Sequence, residues 1–119
     1  MTSTSTNLAV VTGLTTEQID LLRWEPVTGC PGVHAKHLWR GTGLETALLR
    51  YDSGATTAGN PHHGAHQFIW VVEGEASIGG HRLSAGSYAH IPPGSPHPIR
   101  AITSQCVLLQ THAPAVAVS

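Results

Sequence analysis

Gly86-Ser87-Tyr88-Ala89-His90-Ile91-Pro92-Pro93-Gly94-Ser95-Pro96-His97 is the stretch whose reading decides the fold. Residues 88–91 read as a short strand with Tyr88 and His90 on one face and Ala89 and Ile91 on the other. Pro92 has no N–H to give to a sheet ladder, so the strand ends there. Pro93-Gly94 then turns the chain, and a histidine, His97, follows that turn. A strand, a rigid turn and one polar side chain beyond it belong to a β-domain that carries its chemistry at strand ends.

The same punctuation runs outward in both directions. Residues 33–40 and 44–51 flank Gly41-Thr42-Gly43, a three-residue hairpin connection. Residues 67–73 are rich in β-branched and aromatic side chains. Residues 76–78 and 81–83 flank Gly79-Gly80, which tolerates the positive φ angles of a tight hairpin. Residues 99–102 and 106–111 complete the set, and no long helical period interrupts it, so an all-β barrel or sandwich is predicted. Upstream, Thr15 and Gln18 have capping-box spacing, and Leu14 and Ile19 fall at the positions of a hydrophobic staple. They predict a helix of two to three turns outside the main fold, ending by Glu25 because Pro26 disfavours helical geometry before it. Residues 1–13 read as a flexible Thr/Ser tail, and 14–119 as one domain.

Composition narrows the function. Of 119 residues only 11% are charged and the formal net charge is −1, which excludes a polyanion-binding surface. No nucleic-acid or membrane partner is expected: the longest apolar run, residues 68–72, is too short to cross a bilayer. The N-terminus lacks a secretory pattern, and a cytoplasmic location is expected. Two cysteines do not form a disulfide framework and read as free thiols. Against six Lys plus Arg stand nine histidines. Histidine is the commonest metal ligand and the side chain that titrates near neutral pH.

Three of those histidines and one amide crowd the segment Asn60-Pro61-His62-His63-Gly64-Ala65-His66-Gln67, just ahead of the strand Phe68-Ile69-Trp70-Val71-Val72-Glu73-Gly74. Two rigid β-elements can hold such donors from different directions, as a metal requires. Imidazole suits iron, zinc, nickel and manganese alike. If Gln67 points inward, so do Ile69 and Val71, with Phe68 and Trp70 on the other face. If His66 points inward, Phe68 and Trp70 line the pocket instead. Tyr88 and His90, sharing a face, are candidate catalytic proton donors. His34, His37, His81 and His112 are read as lying outside the ligand set, and Trp24 and Trp39 as packing anchors.

These two segments resemble the cupin superfamily. Gly86, Pro92, Gly94 and His97 fit its second motif, G-x5-P-x-G-x2-H, without a gap, although Ala101 stands where an Asn is usual. The first motif, G-x5-H-x-H-x3/4-E-x6-G, is degenerate: Gln67 and Gly74 keep the spacing with Gln in place of Glu. His62 or His63 takes the second His position, and Asn60 or Pro61 replaces the first. Trp24-Glu25-Pro26 and Pro31-Gly32-Val33 also look like the cupin domains of anti-sigma factors and their diketone-dioxygenase-like relatives. The resemblance implies a double-stranded β-helix, or jelly-roll barrel, holding one divalent metal (Fe, Zn, Ni or Mn). Candidate ligands are His62, His63, His66, Gln67 and His97. His62 and His66 form an alternative pair if a β-bulge absorbs the extra residue before Gly74.

A neutral His/Gln shell leaves the ion its full charge and implies a small, possibly anionic, substrate. The first expectation is a metal-dependent oxidoreductase, a dioxygenase, with an isomerase as the other enzymatic choice. A metal- or ligand-sensing module and a metal-free binding barrel are the alternatives. A homodimer paired through edge strands is expected, as the resemblance and the shortage of charge both suggest.

Overall fold

In a computed structural model, residues 13–57, 64–94 and 98–114 are described. The segment read as a tail, the His62-His63 pair and His97 therefore lie outside the described residues. Thr15 caps helix α1 (Thr16–Leu21): its hydroxyl accepts from the Gln18 backbone N–H at 3.1 Å, and the Gln18 side-chain Oε1 accepts from the Thr15 N–H at 2.8 Å. The capping box is as read, but the helix is shorter than expected. It stops where the Leu22 backbone turns extended, and Glu25–Pro26 instead forms a short strand, β1, paired with β2 (Val33–Arg40). Pro26 is tolerated there because β1 lies at a sheet edge.

The helix is not detached from the fold. The Lys36 ammonium donates to the Ile19 carbonyl at 3.0 Å and lies 4.8 Å from the Trp24 ring centroid. Arg50 contacts the same ring at 4.7 Å. The carbonyl and the π-face together satisfy a buried ammonium that would otherwise be costly to desolvate.

The remaining strands are β3 (Glu45–Asp52), β4 (Ala65–Glu73), β5 (Glu75–Ile78), β6 (His81–Ser84), β7 (Tyr88–Ile91), β8 (Ile99–Ala101) and β9 (Gln105–Pro114). They form a six-stranded sheet ordered β1-β2-β3-β9-β4-β7 and a three-stranded sheet ordered β6-β5-β8. Every pairing is antiparallel, as in a jelly roll. Gly79 and Gly80 both have positive φ in the β5–β6 hairpin, where Ile78 faces His81.

Alternation decides what lies between the sheets. Val33 and Ala35 on β2, Leu49 and Tyr51 on β3, Ile69 and Val71 on β4, and Cys106 and Leu108 on β9 all turn inward. Ala76, Ile78, Ile99 and Ala101 meet them from the smaller sheet. Cys30 and Cys106 are free thiols within this core, and burial raises both above the ordinary thiol range, Cys106 to about 11.

Two glycines of the sequence motifs are required by the backbone. Gly74 has φ +80°, and a Cβ there would stand 2.2 Å from the Gln105 carbonyl oxygen. Gly86 has φ +91°, in the turn where its N–H donates to the Val71 carbonyl at 2.8 Å.

Candidate functional site

Each inward-facing series changes character at the same end of the barrel. On β2 the series Val33, Ala35 continues to His37; on β9 the series Cys106, Leu108 continues to Gln110 and His112. On β3 it begins at Glu45, and on β4 at Gln67. Strand register then aligns these polar ends. Glu45 pairs with His112, and His112 pairs with Gln67, so three side chains form one rung across β3, β9 and β4. Such directly opposed residues have neighbouring side chains. His37 belongs to the next rung, opposite Ala47, but a register shift between His37 and Trp39 disrupts the ladder beside it. Its Nδ1 makes an ion-pair contact with Glu45 Oε2. Bulges commonly re-aim a side chain in this way.

The rung lines one side of a partly open cavity of about 160 Å³. The rest of the lining is mostly apolar, with Val27, Val33, Ala35, Ala47, Leu49 and Ile99 beside the Thr57 hydroxyl. At the polar end Gln67 Nε2 lies 3.4 Å from His112 Nε2, and the Gln110 amide hydrogen-bonds the same imidazole nitrogen. Partial burial pushes the Glu45 carboxyl up, but the Arg40 hydrogen bond (Nε to Oε2, 2.9 Å) and the His37 ring outweigh it, so it sits below the usual carboxylate range.

Of the candidate site residues read from sequence, Gln67 faces the cavity and is buried. His66 does not. The alternation Gln67, Ile69, Val71 is unbroken, and the β4 irregularity comes only between Val71 and Glu73. No bulge therefore turns His66 inward. It lies on the outer face of the sheet, where its Nδ1 is 2.8 Å from His90 Nε2 and both rings stack with Phe68. Tyr88 is half exposed beside Trp70 on β7 and β4. Tyr88 and His90 do share a face, as expected, but it is the outer one, so neither is a proton donor to this cavity. His62, His63 and His97 lie outside the described residues.

His37 and His112, which the sequence reading set aside, line the cavity together with Glu45 and Gln110. The signal for them was present. Each is a polar residue that continues an apolar alternation at a strand end.

The match to known proteins spans almost all of this architecture. Residues 13–116 match the model of the ChrR cupin-like domain family. The chain belongs to that cupin family. Solved cupin structures superpose on most of it. KdgF from Halomonas sp. does so with a TM-score of 0.70 at 24% identity, over 80% of this chain and 90% of that one. An RmlC-like cupin from Shewanella frigidimarina gives 0.66 at 26% identity, over 81% and 86%. A predicted oxalate decarboxylase from Thermotoga maritima gives 0.70 at 17% identity, over 81% and 96%. No curated protein matches.

Cupins commonly hold a metal inside the barrel, so the rung was tested as a donor set. Among the described residues no group of three His, Cys, Asp or Glu side chains converges as a metal site. His112 and Gln67 nevertheless offer an imidazole nitrogen and an amide group on adjacent strands, facing one cavity. Those donors fit two positions of a shell for a borderline divalent ion. Also among the described residues, no helix is long and apolar enough to cross a membrane.

Proposed function

We propose that this cupin is a metal-dependent enzyme acting on a small organic molecule in the barrel cavity, with dioxygenase chemistry as the first assignment. The observation that carries the reading is the Glu45–His112–Gln67 rung, set where an otherwise apolar cavity turns polar. Gln67 and His112 would hold a divalent ion together with His97 and one of His62 and His63. The ion would polarise a carbonyl or enol oxygen, and iron would add dioxygen chemistry.

The chain's own groups would do the rest. Gln110 holds the His112 ring by its hydrogen bond to Nε2, which would leave Nδ1 as the ligating nitrogen. Glu45, kept ionised by Arg40, lies against His37 Nδ1 and keeps that ring at the cavity lining. The apolar walls exclude water around the reacting group.

A metal-sensing module is the second reading, favoured by the match to the ChrR cupin-like family over residues 13–116. Plasma mass spectrometry on untagged protein, beside the His112→Ala and His97→Ala variants, tests both readings. About one equivalent of Fe, Ni, Mn or Zn per chain, lost in both variants, is the expected result. Azide perturbing the spectrum of the Fe or Co(II) form would mark the open coordination position of an enzyme, whereas a closed four-ligand site would mark a sensor. Protein with no metal, and none taken up on reconstitution, would leave a metal-free binding barrel in their place.

A further inference from the structure

The size and lining of the cavity define a class of ligand more narrowly than "small organic molecule". We infer that the barrel binds a single uncharged six-membered aromatic or enolic ring carrying one or two hydroxyl groups, of the size of phenol or catechol, and discriminates against the corresponding carboxylate. The inference rests on the cavity being the binding site, and is independent of whether an ion is held at the rung.

The cavity measures about 160 Å³. Apolar cavities of about 150 Å³ admit one benzene ring. A single six-membered ring matches this space. The walls around the body of such a ring are Val27, Val33, Ala35, Ala47, Leu49 and Ile99, with the Thr57 hydroxyl beside them accepting from the Ile99 N–H at 3.4 Å. Apart from Thr57, the polar lining stands at one end, so a ring substituted on one edge satisfies both regions at once.

Charge sets the second restriction. No lysine or arginine stands among the described lining residues, whereas the Glu45 carboxylate does, already in contact with His37 and with Arg40. An anion entering here gives up its hydration, gains no cationic partner and approaches a like charge. A hydroxyl fits that end better. It can donate to the Glu45 carboxylate and accept from the Gln67 or Gln110 amide, both of which face the cavity. The substrate implied by a neutral metal shell was an anion, and the described lining argues for the conjugate acid or an uncharged enol instead.

The test is a methyl-detected NMR titration of chelator-treated protein at pH 8 with phenol, catechol, benzene and benzoate as probes. Phenol and catechol are expected to shift the methyl signals of Val33, Leu49 and Ile99, and to bind at least about ten-fold more tightly than benzoate. Ala47→Met, which fills the cavity, should abolish phenol binding. Should that variant fail to fold, Gln110→Leu serves: it should weaken phenol about five- to ten-fold and leave benzene unchanged, consistent with the loss of one hydrogen bond. Benzoate binding as well as phenol, phenol binding unaffected by Ala47→Met or Gln110→Leu, or no binding of either phenol at millimolar concentration would each overturn the inference. Because the protein is metal-free throughout, these failures leave the metal reading standing, and a metal-free elemental analysis leaves this inference standing.

Discussion

Replacing Gly74 by alanine should be among the most damaging single-methyl additions in this barrel, and the cost can be worked out from its surroundings. With φ at +80°, an L-residue pays about 1–2 kcal/mol for the left-handed conformation. The added Cβ would also stand 2.2 Å from the Gln105 carbonyl oxygen and 2.4 Å from the Thr103 hydroxyl. The first of these atoms is backbone at the start of β9, paired with Asp52 of β3, and cannot swing away. Relieving the overlap requires distorting angles or peptide planes, at about 1 kcal/mol for each ~7° or ~12° respectively. Moving the Thr103 hydroxyl gives up its bond from the Glu75 N–H (3.0 Å), worth about 1 kcal/mol.

The sum is about 4 kcal/mol, a large share of the roughly 5–15 kcal/mol that holds a domain together. At about 4–8 °C per kcal/mol for a domain of this class, the melting temperature should fall by about 15–30 °C. Gly80→Ala is the matched control: φ is +83°, but nothing lies within 4 Å of the new Cβ. Its conformational penalty, partly offset by reduced freedom of the unfolded chain, leaves about 1 kcal/mol and a fall of about 4–8 °C. Thermal unfolding followed by far-ultraviolet circular dichroism separates the two. Melting temperatures within a few degrees of each other would show that the close approach at Gly74 costs nothing, and the packing argument would be wrong.

Two other outcomes are expected. Glu45 has a carboxyl held below its usual range, so its contribution is present above the unfolded value of about 4.3 and is lost as pH falls through the folded value. The stability advantage of the wild type over Glu45→Gln, less than about 1 kcal/mol for a partly exposed pair, should therefore shrink between about pH 6 and pH 3; an advantage that is constant across that range would contradict the ion-pair assignment. Cys106 is fully buried, with its thiol pushed up to about 11 chiefly by burial and further by Glu73. A disulfide reagent at pH 8 should label it only as fast as the barrel opens, and at once in urea; stoichiometric labelling of native protein within seconds would place the thiol elsewhere.

Much of the fold was legible because turn chemistry and alternation agree. The strand between Gly86 and Pro92, the Gly79-Gly80 hairpin and the Thr15 capping box all stand where local rules place them. Two strands escaped that reading for different reasons. β1 contains Pro26, which a local rule counts against a strand and only an edge position permits. β9 was expected to end at Thr111, because His112 and Ala113-Pro114 do not look like strand. Partners on both sides, β3 and β4, carry it to Pro114.

The polar lining of the cavity was legible at Gln67 and not at His37, Glu45 or His112. Spacing along the chain can nominate neighbours such as His62 and Gln67. It carries no information about which residue of β3 or β9 will stand beside Gln67. Register alone settles that, and register is a property of the assembled sheet. The same fact explains His66. A one-residue step along a strand exchanges the cavity for the opposite face, and the histidine nearest the motif became part of an aromatic stack on the outside.

The polar rung has a consequence for how such a barrel changes over time. Glu45, Gln67 and His112 lie far apart along the chain, yet each sits near one end of its strand, while the Val33, Tyr51, Ile69 and Leu108 side chains hold the two sheets together at the other. One end of the same strands is packed and apolar, and the other carries the polar side chains of the cavity. Replacements at the rung change the polar lining of the cavity without thinning the core. Gln67, where the cupin motif has Glu, is one such position.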